Sequence, residues 1–369
     1  MDRRSFLKTT AAIPAAGALG AFSGPVRAQP AAPWANATRW RSFEVTTRVE
    51  VAKPKGVARI WLPLPLAADT DWFRTFNNDW SGNASIARVI PHSRYDTALL
   101  YAEWQVGTEQ PAIEVVSRFA TRDRAIDWAH PAKPEPVEKA VLARYLEPNE
   151  HIPTDGIVRD TALNITKGAR GDIDKARAIY EWIVDNTFRD AKTRGCGVGD
   201  IKAMLESGNL GGKCADLNAL FVGLARSVGI PARDVYGIRV VPSQWGYKSL
   251  GAGSSNITRA QHCRAEFHTA ALGWVPVDPA DVRKVVLEEP PGNLPIGDDK
   301  VKLARAKLFG AWEMNWLAYN YAQEVVLPSA RGAKVAFLMY PQCETASGRK
   351  DSLDPDSFRY QITAREITA

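Results

Sequence analysis

The sequence predicts an α+β protein: a β-sandwich in front, then a buried helix packed on an antiparallel sheet. Three observations carry this. Residues 38–122 hold several short runs in which apolar and polar residues alternate, separated by turn formers. From Cys214 onward, Leu217, Leu220, Phe221, Leu224 and Val228 recur at helical spacing, and Gly229 and Pro231 end the run. Residues 261–268 and 274–279 flank a short turn at 270–273 and read as a hairpin.

Residues 1–28 are set apart from the fold as a twin-arginine signal peptide. Arg3-Arg4 with Ser5, Phe6, Leu7 and Lys8 precede a weakly apolar stretch at 11–22, and Val26-Arg27-Ala28 is a small-residue cleavage site. The stretch is too short for a lasting membrane span, so the mature chain is expected in the periplasm or beyond it. The full chain has 47 basic and 41 acidic residues, a net charge of +6. The signal carries four basic residues and one acidic, which leaves about +3 on the mature chain. No dense basic run is present, which argues against a nucleic-acid partner.

The β region opens with Phe43, Val45, Thr47, Val49 and Val51 in alternation. Further runs lie at 57–62, 85–90, 99–106 and 112–120. They assign residues 38–122 to the sandwich. Trp72, Phe73 and Trp80 form an aromatic loop between two of them, read as packing in preference to the roof of a cleft. A proline-marked connector with a short helix at 137–145 occupies residues 123–165. Helical spacing returns at Ile173, Ala176, Tyr180, Ile183 and Val184, behind Asp172 as the expected N-cap, and a short helix is expected at 201–206.

The chemistry gathers at the next helix. Cys214 follows Gly211-Gly212-Lys213 and occupies the helix's first turn. Unpaired N–H groups and the helix dipole favour a thiolate there. A thiol nucleophile needs a base. The hairpin supplies His262, with Asp278 at the far end of the second strand, within diagonal reach of the first. Cysteine, histidine and aspartate are the nucleophile, base and orienting group of thiol catalysis. Glu266 shares a strand face with His262 and is read as structural, satisfied by backbone or a nearby arginine.

Residues 212–216, 225–233 and 273–279, together with His262, resemble the transglutaminase-like core family, whose catalytic geometry is shared with papain-like thiol proteases. The resemblance covers roughly residues 165–285. It implies a papain-like core, the cysteine helix packed on an antiparallel sheet, within a catalytic domain at 166–369 that includes a C-terminal extension. It also implies Cys214 as nucleophile, His262 as base and Asp278 as orienting group. Many members carry tryptophan two residues after the histidine. This chain has Arg264 there, which joins Trp245 of the 242–256 loop as a substrate-binding candidate. Asn209, five residues before the cysteine, is the candidate oxyanion donor beside the Cys214 N–H.

The implied activity is attack on a peptide-like amide through a Cys214 acyl-thioester, resolved by water in a cysteine peptidase or amidase. Resolution by an amine, as in a transglutaminase, is the alternative. So is an inactive binding module, against which the complete triad argues. The expected partner is a peptide or protein substrate. No calcium-loop pattern is present, and no cofactor or metal is expected. A zinc site built from Cys196, Cys214 and Cys263 is disfavoured because no CxxC pair exists. With Cys214 free, one disulfide at most can form among Cys196, Cys263 and Cys343, and Cys196–Cys343 is the pairing proposed. Downstream, residues 301–321 read as an aromatic helix. Residues 334–339 and 358–363 read as strands extending the catalytic domain.

Overall fold

A computed structural model of the chain describes residues 39–368 except 53 and 93–96; the signal segment lies outside the described residues. Alternation builds the front of the molecule as expected. Arg41–Glu50 buries Phe43, Val45 and Val49 on one face and lies between Ala112–Thr121 and Arg359–Ile367, with Phe73–Gly82 at the outer edge. A second sheet runs Gly348–Arg349, Gln342–Thr345, Ala58–Pro63, Thr97–Trp104 and Ile86–His92. Val49, Ile113 and Val115 of the first sheet meet Ile60, Leu62, Leu100 and Trp104 of the second in one buried cluster, the interior of a β-sandwich.

The sheet of the expected catalytic domain, labelled the catalytic sheet for that expectation, is antiparallel, in the order Gly273–Val277, Gln261–Thr269, Ala232–Arg239 and Trp316–Asn320. One face carries the helix Cys214–Ser227, whose Leu217, Leu220, Phe221 and Leu224 share a cluster with Cys263, Ala265 and Phe267. Helices Gly156–Ile165, Asp172–Asn186 and Pro279–Glu288 enclose the cysteine helix, so every one of its residues is buried. The opposite face presents Val235, Ile238 and Trp316 to Phe43, Val45 and Phe119 of the sandwich. One face of the Arg41–Glu50 strand therefore serves two partners. Phe43 and Val45 pack on the catalytic sheet, and Val49 packs on the second sandwich sheet. Each such side chain contributes roughly 1.5–3 kcal/mol on burial.

Three expectations need correction. The predicted 301–321 helix ends early: Asp299–Lys307 is helical, and Trp312 and Trp316–Asn320 are strand. Gly310 makes the break at φ 112°, where an added Cβ would lie 2.7 Å from the Trp128 ring. The Trp316–Asn320 strand is buried on both faces, so it reads as a continuous apolar run and hides its two-residue period. The aromatic loop is also strand from Phe73 to Gly82. Trp72 and Phe73 are core residues, as the packing reading expected, while Trp80 is 40 % exposed.

The tail does not extend the catalytic sheet. Gln342–Thr345 pairs with Ala58–Pro63, and Arg359–Ile367 pairs with Arg41–Glu50 in the register Val45 to Ala364. Both are sandwich strands that would otherwise be open edges, and an edge strand needs a partner for its backbone groups. Val335–Phe337 forms a separate small hairpin with Gln323–Val325.

Candidate active site

Cys214 is the first helical residue after the N-cap Lys213. Its N–H therefore has no helical carbonyl to bond. Asp216, two residues on, fixes the approach to it by accepting from the N–H groups of Lys213, Val198 and Gly199, each at 2.9 Å. This draws the preceding loop against the helix, and Ala215 N–H donates to the Cys196 carbonyl at 2.9 Å. Close approach explains the local glycine. A Cβ on Gly197, at φ +95°, would sit 1.9 Å from Asp216 Oδ2.

The second component comes from the hairpin. Cys263, Ala265 and Phe267 face the helix, and the intervening His262, Arg264 and Glu266 take the other side of the strand. His262 Nε2 lies 2.7 Å from Asp278 Oδ2. That leaves Nδ1 unused by the carboxylate, and His262 and Cys214 line the same cleft. Asp278 is also the N-cap of Pro279–Glu288: its Oδ1 accepts from Asp281 N–H at 3.0 Å, ahead of Pro279 at the first helical position. Asn218, one turn beyond Cys214 on the cysteine helix, donates to the same Oδ1 at 3.3 Å and to the Cys263 carbonyl at 2.9 Å. One buried amide thus ties the cysteine helix to the first strand of the hairpin and to the helix cap that follows the second.

Sequence reasoning missed a second carboxylate. Asp281 Oδ2 lies 3.4 Å from His262 Nε2, and both Asp281 oxygens accept from Arg239, at 2.6 and 2.8 Å. The three-residue spacing of Asp278 and Asp281 around Pro279 was a readable capping signal. Arg239 comes from another strand and carried no local signal. Burial and the Arg239 charge push the imidazole pKa down. Asp281 and Asp278 outweigh them, and His262 is pushed up to about 10. The Cys214 thiol is held well below its usual range, chiefly by hydrogen bonds from Cys196 and Cys263 and then, against burial, by His262. Both shifts favour the charged forms, a thiolate beside an imidazolium.

His262, Asp278 and Asp281 offer donor atoms within 4.8 Å of one another. Their chemistry does not fit a metal. A guanidinium holds both oxygens of Asp281, and the imidazole occupies Asp278, so the donor atoms are already engaged.

The other sequence candidates lie elsewhere. Asn209 is exposed, and its side-chain oxygen accepts from Gly211 N–H as a turn former; it does not line the cleft. Trp245 is also outside the cleft, its Nε1–H donating to Asp123 at 3.1 Å and Lys307 lying over its ring. Arg264 is 2 % exposed, stacked on Trp312 and Trp316, with Nε 3.8 Å from Asp278 and Nη1 donating to the Glu313 carbonyl. It lies behind the His262–Asp278 pair and does not line the cleft. Glu266 is buried against Arg124 and Arg233, the structural role expected of it. The proposed Cys196–Cys343 disulfide is absent. All four cysteines are free: Cys196 lines the cleft beside Cys214, while Cys343 sits in the sandwich interior.

The sequence pattern of the transglutaminase-like superfamily matches residues 159–279, and that of a twin-arginine translocation signal matches residues 1–20. An uncharacterized protein of Haemophilus influenzae is 35 % identical over 345 residues, 88 % of this chain and 91 % of its own. Among solved structures, a "Putative Cysteine Protease" from Cytophaga hutchinsonii aligns over 89 % of this chain and 99 % of its own, with TM-score 0.50 and 12 % identity. The periplasmic domain of TgpA from Pseudomonas aeruginosa aligns over 72 % and 92 %, with TM-score 0.36 and 15 % identity. No helix among the described residues is long and apolar enough to cross a membrane. A cysteine helix against a histidine-bearing hairpin, in a segment that matches the core pattern throughout, gives this chain a core domain of the transglutaminase-like superfamily at residues 159–279, behind a twin-arginine export signal.

Proposed function

We propose that the protein is a thiol amide hydrolase, a cysteine peptidase or amidase with Cys214 as nucleophile, His262 as acid and base, and Asp278 as the orienting carboxylate. The observation that carries this reading is the buried His262–Asp278 pair, 2.7 Å apart, lining one cleft with a cysteine at a helix N-terminus. The Cys214 thiolate attacks an amide carbonyl, and its C–S bond forms as the carbonyl π pair moves to oxygen. The Cys214 N–H stabilises that oxyanion. The C–N bond then breaks, His262 Nδ1 delivers its proton to the leaving amine, and a thioester remains. Neutral His262 next takes a proton from water as it attacks the thioester. The acid departs and the thiolate–imidazolium pair is restored. An amine in place of water yields a new amide by the same path.

The test is the pH dependence of alkylation at Cys214 in the mature protein, beside His262→Ala. The expected profile places half-maximal reactivity well below the ordinary thiol value of about 8.5 and returns toward that value in the variant. Cys214→Ala abolishes turnover; retained turnover would overturn the proposal. Adding a primary amine during turnover separates the two acceptors, since acid alone marks hydrolysis and a new amide marks transfer. No step uses a metal, so activity should survive chelation, and a loss restored by calcium would count against the scheme.

A further inference from the structure

The cleft above Cys214 and His262 has a volume of about 590 Å³. Its lining holds six basic side chains and no carboxylate: Arg189, Arg194, Lys213, Arg239, Arg259 and Lys284. Four of these have partners outside the lining. Arg239 belongs to Asp281, and Arg194 pairs with Asp351 at 2.6 Å. Arg189 and Lys284 share the single carboxylate of Glu288, which leaves one positive charge over. Lys213 and Arg259 have no ion-pair partner among the described residues. Lys213 immediately precedes the nucleophile in sequence, and Arg259 stands three residues before the base.

The charge continues past the cleft. An adjoining hollow of about 690 Å³ shares Asn256, Thr258, Arg259, Pro355 and Tyr360 with it and adds, among others, Arg48, Glu50 and Arg359. Arg48 is tied to Glu50 at 3.0 Å, while Arg359 has no ion-pair partner among the described residues. Three unmatched cations, Lys213, Arg259 and Arg359, thus mark one furrow that runs away from the thiol. The surplus is local, because the mature chain is close to neutral for its length. A cleft lined by one sign of charge concentrates ligands of the other sign.

We propose that the substrate is an acidic peptide whose side-chain or terminal carboxylates lie on Lys213 and Arg259, flanking the amide presented to Cys214. This rests on the thiol-hydrolase reading for the position of the amide. The charge preference stands on the lining residues alone. A peptide is preferred to other polyanions because the furrow leads directly to a nucleophile suited to an amide carbonyl.

Two measurements test it. The first compares alkylation of Cys214 by anionic iodoacetate and neutral iodoacetamide in the mature chain. The ratio of the two rates should fall by about threefold or more in Lys213→Gln and in Arg259→Gln, and should fall with added salt. Arg259 is exposed, so its variant is read even if Lys213→Gln folds poorly. A ratio unmoved in folded Arg259→Gln overturns the proposal. The second measures binding to Cys214→Ala by fluorescence anisotropy for peptides that differ only in Glu against Gln. The Glu peptide should bind about tenfold more tightly at low salt. Equal binding overturns the charge preference. Equally tight binding of a sulfated polysaccharide overturns the assignment to a peptide. Binding needs no turnover, so an ordinary thiol profile at Cys214 with a retained Glu preference would reject the hydrolase and keep the furrow. An activated thiol without that preference would do the reverse.

Discussion

His262 has two carboxylates within reach of one ring nitrogen, and they have different work. Asp278 is shared between the imidazole and a helix cap. Asparagine caps a helix as well as aspartate does, so Asp278→Asn should keep the fold while losing the charge. Turnover is expected to drop by about 10²–10⁴-fold, and the alkaline limit of activity, set by an imidazole now near pH 10, should move down. Asp281→Asn should lower the imidazole pKa too and add a loss of stability, because it strands the buried Arg239 guanidinium at a cost of about 3–5 kcal/mol. Arg239 and His262 hold the Asp281 carboxyl well below its usual range. Its contribution is therefore present above the unfolded carboxylate pKa and is lost as pH falls through the folded value. Urea midpoints at neutral and acid pH check both the size and the sign. At this scale Cys214, His262 and Asp278, each standing in a local motif, are brought together as the sequence led one to expect, His262 on Asp278 and in one cleft with Cys214. Arg264 was misread, because strand alternation gives a side chain's face but not its depth. One residue pair further into the sheet than His262, that face is closed by Trp312 and Trp316.

The hairpin that presents His262 is anchored by an ion pair of its own. Glu266, four residues along the same strand, is buried between Arg233 of the neighbouring strand and Arg124 of the connector, which also donates to the Trp274 carbonyl. Removing that carboxylate leaves two cations facing each other across a dry space. Glu266→Gln should cost about 3–5 kcal/mol in urea unfolding while the folded fraction keeps its turnover number. A turnover number that collapses without loss of stability would instead give Glu266 a part in the chemistry. Element boundaries were legible where a period and a stop signal coincide, as in the cysteine helix, whose five apolar positions run to Gly229 and Pro231. They were not legible at 301–321, where burial on both faces of the Trp316–Asn320 strand removes the alternation that marks a strand.

The β-sandwich and the thiol core were read as successive domains, but the chain closes back on itself. Residues 342–345 and 359–367 complete the two sandwich sheets, and the tail between 340 and 360 supplies Tyr340, Leu353, Phe358 and Tyr360 to the wall of the Cys214 cleft. Such long-range strand pairing is invisible to local pattern, because nothing in a C-terminal strand names an N-terminal partner. The packing has a measurable consequence. Phe43, Val45 and Phe119 lie in the same buried cluster as Val235, Ile238 and Trp316, so the sandwich cannot unfold without exposing one whole face of the catalytic sheet. The mature chain should therefore unfold in a single transition. The loss of β-sheet circular dichroism, the shift in tryptophan emission and the exposure of Cys343, buried in the sandwich interior, should share one urea midpoint. If Cys343 became reactive at a lower urea concentration than the catalytic sheet melts, the sandwich would be an independent unit. The shared cluster would then be a docking contact between two domains and not a common core.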